Sequence, residues 1–276
     1  MRKKIVWPGN KKICVTFTVA FEAYQKVGQF KTHDVQGENL FSLSHNAYGG
    51  NVGIWRIHDI FLRHGVRATI DVNGLAVEKW PEAIKQLHDD GHEIAGHGYT
   101  NEVKFTSLNP QQQREEIRKV TEIVQATTGE RPWGWVSPGG NQTKETLAIL
   151  AEEGYTWCGD FCDEDLPYSV ERSGRKIAII PKHWYFNDLR AWNGGGLSGA
   201  EAFDAFRYSF DFVYQEALRG HPGRIDALVH AELGGRPYIA HAYEKMIAYC
   251  KQFEADLWFT SRKEIAELVN GGGGAK

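Results

Sequence analysis

Ile13-Cys-Val-Thr-Phe-Thr-Val-Ala-Phe21 is the stretch that decides the fold. It carries no charge and is rich in β-branched and aromatic side chains, so it reads as a buried strand. Working outward, Arg67-Ala-Thr-Ile-Asp-Val72 reads as a second strand. Shorter ones follow at His92–Ala95, Trp133–Val136, Tyr155–Cys158, Lys176–Pro181, Ile225–His230 and Asp256–Thr260. Helical stretches lie between them. Pro110–Thr128 is the clearest, with Asn109 as N-cap, Pro110 in the first helical position and Gly129 as the stop. Ser198-x-x-Glu201 and Ser261-x-x-Glu264 are capping boxes that open two later helices. Phe203, Phe206, Phe210, Val213 and Ala217 form an apolar stripe on the first of these, read as core packing. Strands separated by helices need crossover connections, hence a parallel sheet. Strand number and chain length favour an α/β fold with a closed or nearly closed barrel.

The 276 residues suit one domain, residues 1–276, with its core at 12–269 and a glycine-rich flexible tail at 270–276. Hydrophobic residues at 42% supply a sizeable core, and a net charge of -3 gives no electrostatic footprint for nucleic acid or an anionic membrane. Cys14, Cys158, Cys162 and Cys250 form no CxxC pair, which argues against a four-cysteine zinc site. The basic start is followed by no apolar signal-peptide run, and no stretch reaches the ~20 apolar residues of a membrane span. A reducing, cytoplasmic location is the expectation. Two segments break the strand–helix rhythm. The longer, Tyr24–Asn51, is expected as a loop over the C-terminal mouth of the barrel.

Reactive groups in such barrels sit at the C-terminal ends of strands. The first strand ends at Phe21-Glu22, the third runs into His92-Glu-Ile-Ala-Gly-His97, and a later one ends at His230-Ala-Glu232. A carboxylate and two histidines meeting at one point could hold a divalent metal or run acid–base hydrolysis. Glu22, closing an apolar strand, needs a partner to offset its desolvation, and a structural ion pair with Arg56 is the competing reading. Trp133, Trp135, Trp184, Tyr185 and Trp192 either line a substrate wall or fill the core. Asp160, Asp163 and Asp165 are a solvated acidic loop, unless Asp163 binds a substrate amide or acts as a substitute base.

Gly91-His-Glu-Ile-Ala-Gly-His97-Gly resembles the second motif of the polysaccharide deacetylase (NodB-homology) superfamily. Thr16–Glu22 takes the place of its first motif, Arg131–Pro138 is similar to the third, and Val229–Pro237 is similar to the last. Gly53–Arg56, Asp163–Tyr168 and Asn187–Arg190 look like the allantoinase-type branch. The resemblance implies a distorted (β/α) barrel of about seven parallel strands. It implies a hydrolase of a non-peptide C–N bond in a small cyclic amide or ureide, with Glu22, His97 and His230 catalytic. A divalent metal, zinc first, would sit on Glu22, His97 and Asn101, while Trp135, Asp163, Asn187 and Trp184 would bind substrate. A homo-oligomer, dimer or tetramer, would enclose a small substrate.

Two departures stand out. Ala20 occupies the position of the base aspartate, and Asn101 that of the second metal histidine. An alanine takes no proton, and an amide oxygen is a poor ligand for a borderline-soft metal. Two alternatives therefore stay open: an N-deacetylase of acetylated amino sugars or peptidoglycan, and a non-catalytic binding protein that has lost its base. A carboxylate introduced at residue 20 is expected to create base function.

Overall fold

β1 (Ile13–Phe21) is buried along its whole length and is the spine of the computed structural model, which describes residues 5–26, 37–183, 186–189 and 196–271. One edge of β1 pairs in parallel with β9 (Gly223–His230), from Ile13 opposite Gly223 to Ala20 opposite His230. The other edge is divided. Ile13–Val15 pairs with β10 (Leu257–Phe259), and Thr18–Phe21 with β2 (Thr69–Val72). The sheet continues from β2 through β3 (Glu93–Gly96), β4 (Gly134–Trp135), β5 (Trp157–Cys158) and β7 (Arg175–Ile179) to β6 (Tyr168–Arg172). Beyond β9 it ends at β8 (Phe186–Asn187). Every pairing is parallel except the β6–β7 hairpin. The result is a curled, mostly parallel half-barrel, in agreement with the expected class, with ten strands among the described residues.

Alternation along β1 divides the interior in two. Val15, Phe17, Val19 and Phe21 face the larger apolar core, under the helices. Cys14 faces a smaller core inside the curl, with Trp157, Ala178 and Ile265. Thr16 and Thr18 face inward as well, and their hydroxyls donate to Asp226 at 2.9 Å each. Asp226 in turn receives Arg262 at 2.8 Å. The inside of the curl thus carries a polar layer in which Asp226 is bonded from both strands and from Arg262, as burial of charge demands.

The capped helices form as expected. Pro110–Thr128 carries the Asn109–Gln112 capping box and ends at Gly129 with φ 83°. Ser198 caps Gly199–Leu218, and Ser261 caps Arg262–Asn270. In the Gly199–Leu218 helix Phe206, Phe210, Val213 and Ala217 are buried, while Phe203 is half-buried.

The expected Tyr24–Asn51 loop is only partly a loop. Asn39 caps a helix, α1 (Leu40–Tyr48), which runs through a π-turn at Gly49–Gly53 into Ile54–His64. The glycines that suggested a loop are there for close packing. A Cβ on Gly53 would stand 2.0 Å from the Ala231 carbonyl oxygen, and one on Gly50 2.1 Å from the Trp80 ring. Residues 27–36 of that segment, and the tail at 272–276, lie outside the described residues. Among the described residues no helix is long and apolar enough to cross a membrane.

Candidate active site

Glu22 follows the last residue of β1, His97 the last of β3, and His230 ends β9, so the parallel topology sends all three to one end of the sheet. They meet there. Glu22 Oε1 lies 3.3 Å from His97 Nε2 and 3.8 Å from His230 Nε2. Glu22 Oε2 accepts from the Tyr24 hydroxyl at 2.9 Å and from Asn101 Nδ2 at 2.8 Å. Asn46, on α1, donates to the Glu22 carbonyl at 3.2 Å, which brings that helix over the end of β1. Glu22, His97 and His230 are all buried.

Each histidine is oriented from behind. His97 Nδ1 donates to the Val136 carbonyl at 2.7 Å. That bond fixes one ring proton, so Nε2 donates to Glu22 only when the ring carries both. His230 Nδ1 donates to Asp188 Oδ1 at 2.7 Å, and its backbone amide to Asp188 Oδ2 at 2.8 Å. Asp188 is fully buried, and Asn187 holds the turn around it by accepting from the Leu189 amide at 3.0 Å.

The charges follow from this frame. Burial alone would favour neutral His230, but Asp188 and then Glu22 outweigh it and push its pKa up to about 10. The ring is therefore an imidazolium at neutral pH. Burial would raise Glu22, yet the His97 hydrogen bond, the two ring charges and the Tyr24 hydroxyl overcome that and hold it below the usual carboxylate range. Glu232 is the opposite case. It is fully buried with no hydrogen-bond partner among the described residues, and burial together with the Glu22 charge pushes it up to about 8.

The expected metal ligands converge but do not make a ligand set. Glu22 and His97 are placed for one, the latter with a backbone carbonyl behind its Nδ1, as ligating histidines have. Asn101, however, turns its amide nitrogen to Glu22 and to the Tyr24 hydroxyl, at 2.8 and 2.7 Å. Reversing the amide would set its oxygen against the carboxylate. Ala20 offers nothing, and among the described residues no three His, Cys, Asp or Glu side chains are grouped to hold an ion. A three-ligand centre does not fit these residues.

Other expected residues are elsewhere or in other roles. Trp135 is fully buried in the core, edge-on to Phe105 and Tyr155, with its indole N–H on Ser137. Its assignment to a substrate wall gives way to packing. Asp163 is exposed and accepts from the Tyr168 hydroxyl at 2.8 Å. Asn187 shapes a turn, as above, and its neighbour Asp188 is the one bonded to His230. Arg56 is not the partner of Glu22. It bonds the Tyr48 hydroxyl at 2.6 Å and the Gly235 carbonyl. Trp184, Tyr185 and Trp192 lie outside the described residues. Asp188 and Glu232 were not singled out by sequence. The available signal was an acid within the Asn187–Arg190 motif for the first, and an acid two residues past His230 for the second.

The comparisons with known proteins agree with this fold. The family description "Polysaccharide deacetylase" matches residues 46–158. The chain is 24% identical to "Peptidoglycan deacetylase" of Helicobacter pylori, over 93% of this chain and 96% of that protein. It is also 24% identical to a "Peptidoglycan deacetylase-like protein" of Gibberella zeae, over 93% and 86%. Its structure is similar to that of Puue allantoinase, with a TM-score of 0.86 at 28% identity, over 95% of this chain and 91% of that one. With the half-barrel and the Glu22–His97–His230 cluster at its strand ends, the chain is similar in fold and sequence to the polysaccharide deacetylases.

Proposed function

We propose that this chain hydrolyses a non-peptide C–N bond in a small cyclic amide or ureide, as an allantoinase-like amidohydrolase. The observation that carries the reading is the exchange at the ligand set. Asn101 places an N–H donor where a third metal ligand would stand, while Glu22, His97 and His230 stay together. The likeness to Puue allantoinase over nearly the whole chain supports it.

In this reading His230 is the general acid. Its imidazolium is held by Asp188; water adds to the ring carbonyl carbon, the C–N bond breaks as the His230 Nε2 proton passes to the leaving nitrogen, and the proton lost by the water returns to the imidazole. Glu22 is the anchor that keeps the His230 ring charged and both rings aimed. It is a poor base, because Tyr24, Asn101 and the two histidine rings crowd its two oxygens. With alanine at residue 20 no carboxylate stands in the family's base position. Turnover is slow by the ~10²–10⁴ that a positioned base contributes.

Leu40 and Phe41, 72% and 67% exposed on the helix above Glu22, support a homo-oligomer, dimer or tetramer, that encloses the site. The second reading, N-deacetylation of acetylated amino sugars, is favoured by the names of the curated relatives. A hydrolysis assay with allantoin, hydantoin and chitin oligomers separates the two. The expected result is release of the ring-opened acid from a cyclic substrate. Acetate release from the oligomers, with no ring opening, would transfer the chain to the deacetylase reading.

A further inference from the structure

Glu232 is buried beside the catalytic groups with nothing to bond to. It is 0% exposed, and neither Oε1 nor Oε2 has a hydrogen-bond partner among the described residues. Its electrostatic neighbours are Glu22, His230, Asp188 and Tyr24. Packing holds it in place. It lies in the short Ala231–Gly234 turn of helix, against the Gly49–Gly53 turn, where a Cβ on Gly49 would stand 3.0 Å from the Glu232 amide nitrogen. An unpartnered buried carboxyl is costly, and replacing such a group by an apolar one of similar size is neutral or stabilising. Glu22 and Asp188, by contrast, are bonded at both oxygens.

A carboxyl with acceptor positions open and no protein donor is complementary to a ligand rich in N–H groups. We propose that Glu232 is the specificity residue of the site and accepts ring or ureido N–H groups of the substrate while its carbonyl faces His230. This rests on the cyclic-ureide reading and narrows it. The substrate carries at least one N–H not belonging to the bond that is cut. An N-acetyl sugar has a single amide N–H, at the scissile bond, and offers Glu232 hydroxyls in place of a second N–H.

The test is calorimetric binding of allantoin and of a ring N-methyl allantoin to the full chain, with Glu232→Met and Glu232→Gln beside the parent. Binding does not depend on turnover, so it separates this inference from the hydrolase reading. Leaving a buried substrate N–H unanswered predicts allantoin affinity lower by about tenfold or more in Glu232→Met, and by less in Glu232→Gln. N-methylation weakens binding to the parent and not to Glu232→Met. The melting temperature of Glu232→Met stays level or rises, whereas a structural carboxylate would lower it. Equal affinities in parent and Glu232→Met, an N-methyl penalty that survives the substitution, or no binding of allantoin to the parent would each overturn the proposal. Good binding with no hydrolysis would instead strike at the hydrolase reading alone.

Discussion

Ala20 stands opposite Asp71 on the neighbouring parallel strand, and both face the inside of the curl. Asp71 is 1% exposed; its Oδ2 receives Arg262 at 3.3 Å, while its Oδ1 has no hydrogen-bond partner among the described residues. On its other side Ala20 is level with His230. A carboxylate placed at residue 20 would therefore meet an acid on one flank and an imidazolium on the other. Ala20→Asp is expected to raise turnover of the best cyclic substrate by up to ~10²–10⁴. It is also expected to lower the melting temperature, because two buried acids then share a layer, and Asp71→Asn in the same chain recovers it. No gain, together with efficient hydrolysis by the unaltered chain, would show that the working base lies elsewhere.

Asp188 acts through His230. In Asp188→Asn the imidazole loses the charge that outweighs its burial, so the ring gives up its proton at lower pH. The alkaline limb of the pH–rate profile should move down from about 10, and kcat should fall by roughly 10²-fold or more as the general acid weakens. An unmoved limb would remove His230 from that role.

The donor at Asn101 bears on cofactors. After exhaustive dialysis against a chelator the chain is expected to keep its hydrolytic rate, and elemental analysis to find no stoichiometric metal. A rate abolished by the chelator and restored by zinc would contradict the reading of Asn101 as an N–H donor to Glu22.

Stability carries its own pH signature, far from the active site. His92 Nδ1 accepts the Ala68 amide at 3.0 Å, and burial with the nearby His58 pushes the ring down to about 4. The folded ring stays neutral while an unfolded one takes a proton near the ordinary histidine value. The unfolded chain thus binds more protons between about 6.5 and about 4, and stability drops as pH falls through that window. The contribution is of order 3 kcal/mol at most. Urea unfolding at pH 7 and pH 4.5 measures it, and His92→Asn, which keeps an acceptor for Ala68, should flatten the difference.

Much of this was legible in the residues. Ile13–Phe21 could be read because nine uncharged positions leave no solvent face, and the helix starts because Asn109, Ser198 and Ser261 carry local capping chemistry. Glu22, His97 and His230 were visible as polar residues closing apolar strands. Strands β6 and β8 were not. β6 is half-exposed and antiparallel, announced only by Ser173-Gly174 with φ 50° and 70°, and β8 is two residues long. Trp135, Asp188 and Glu232 share one reason for being misread or missed. Whether an indole or a carboxyl is enclosed, and by what, depends on partners such as Phe105 and His230 far away in the chain.

The divided edge of β1 has a consequence for how the protein is made. Its hydrogen-bonding partners are Thr69–Val72, Gly223–His230 and Leu257–Phe259, so the earliest of these four strands in the chain is the last to be fully paired. During synthesis at ~5–20 residues per second this apolar segment waits, with one edge open and the other closed only along Thr18–Phe21, for more than two hundred residues to emerge. Pairings so distant in sequence form slowly, and an open apolar edge recruits other chains. Yield on expression should therefore respond to translation speed and to chaperones that shelter nascent strands more than to changes at the catalytic cluster.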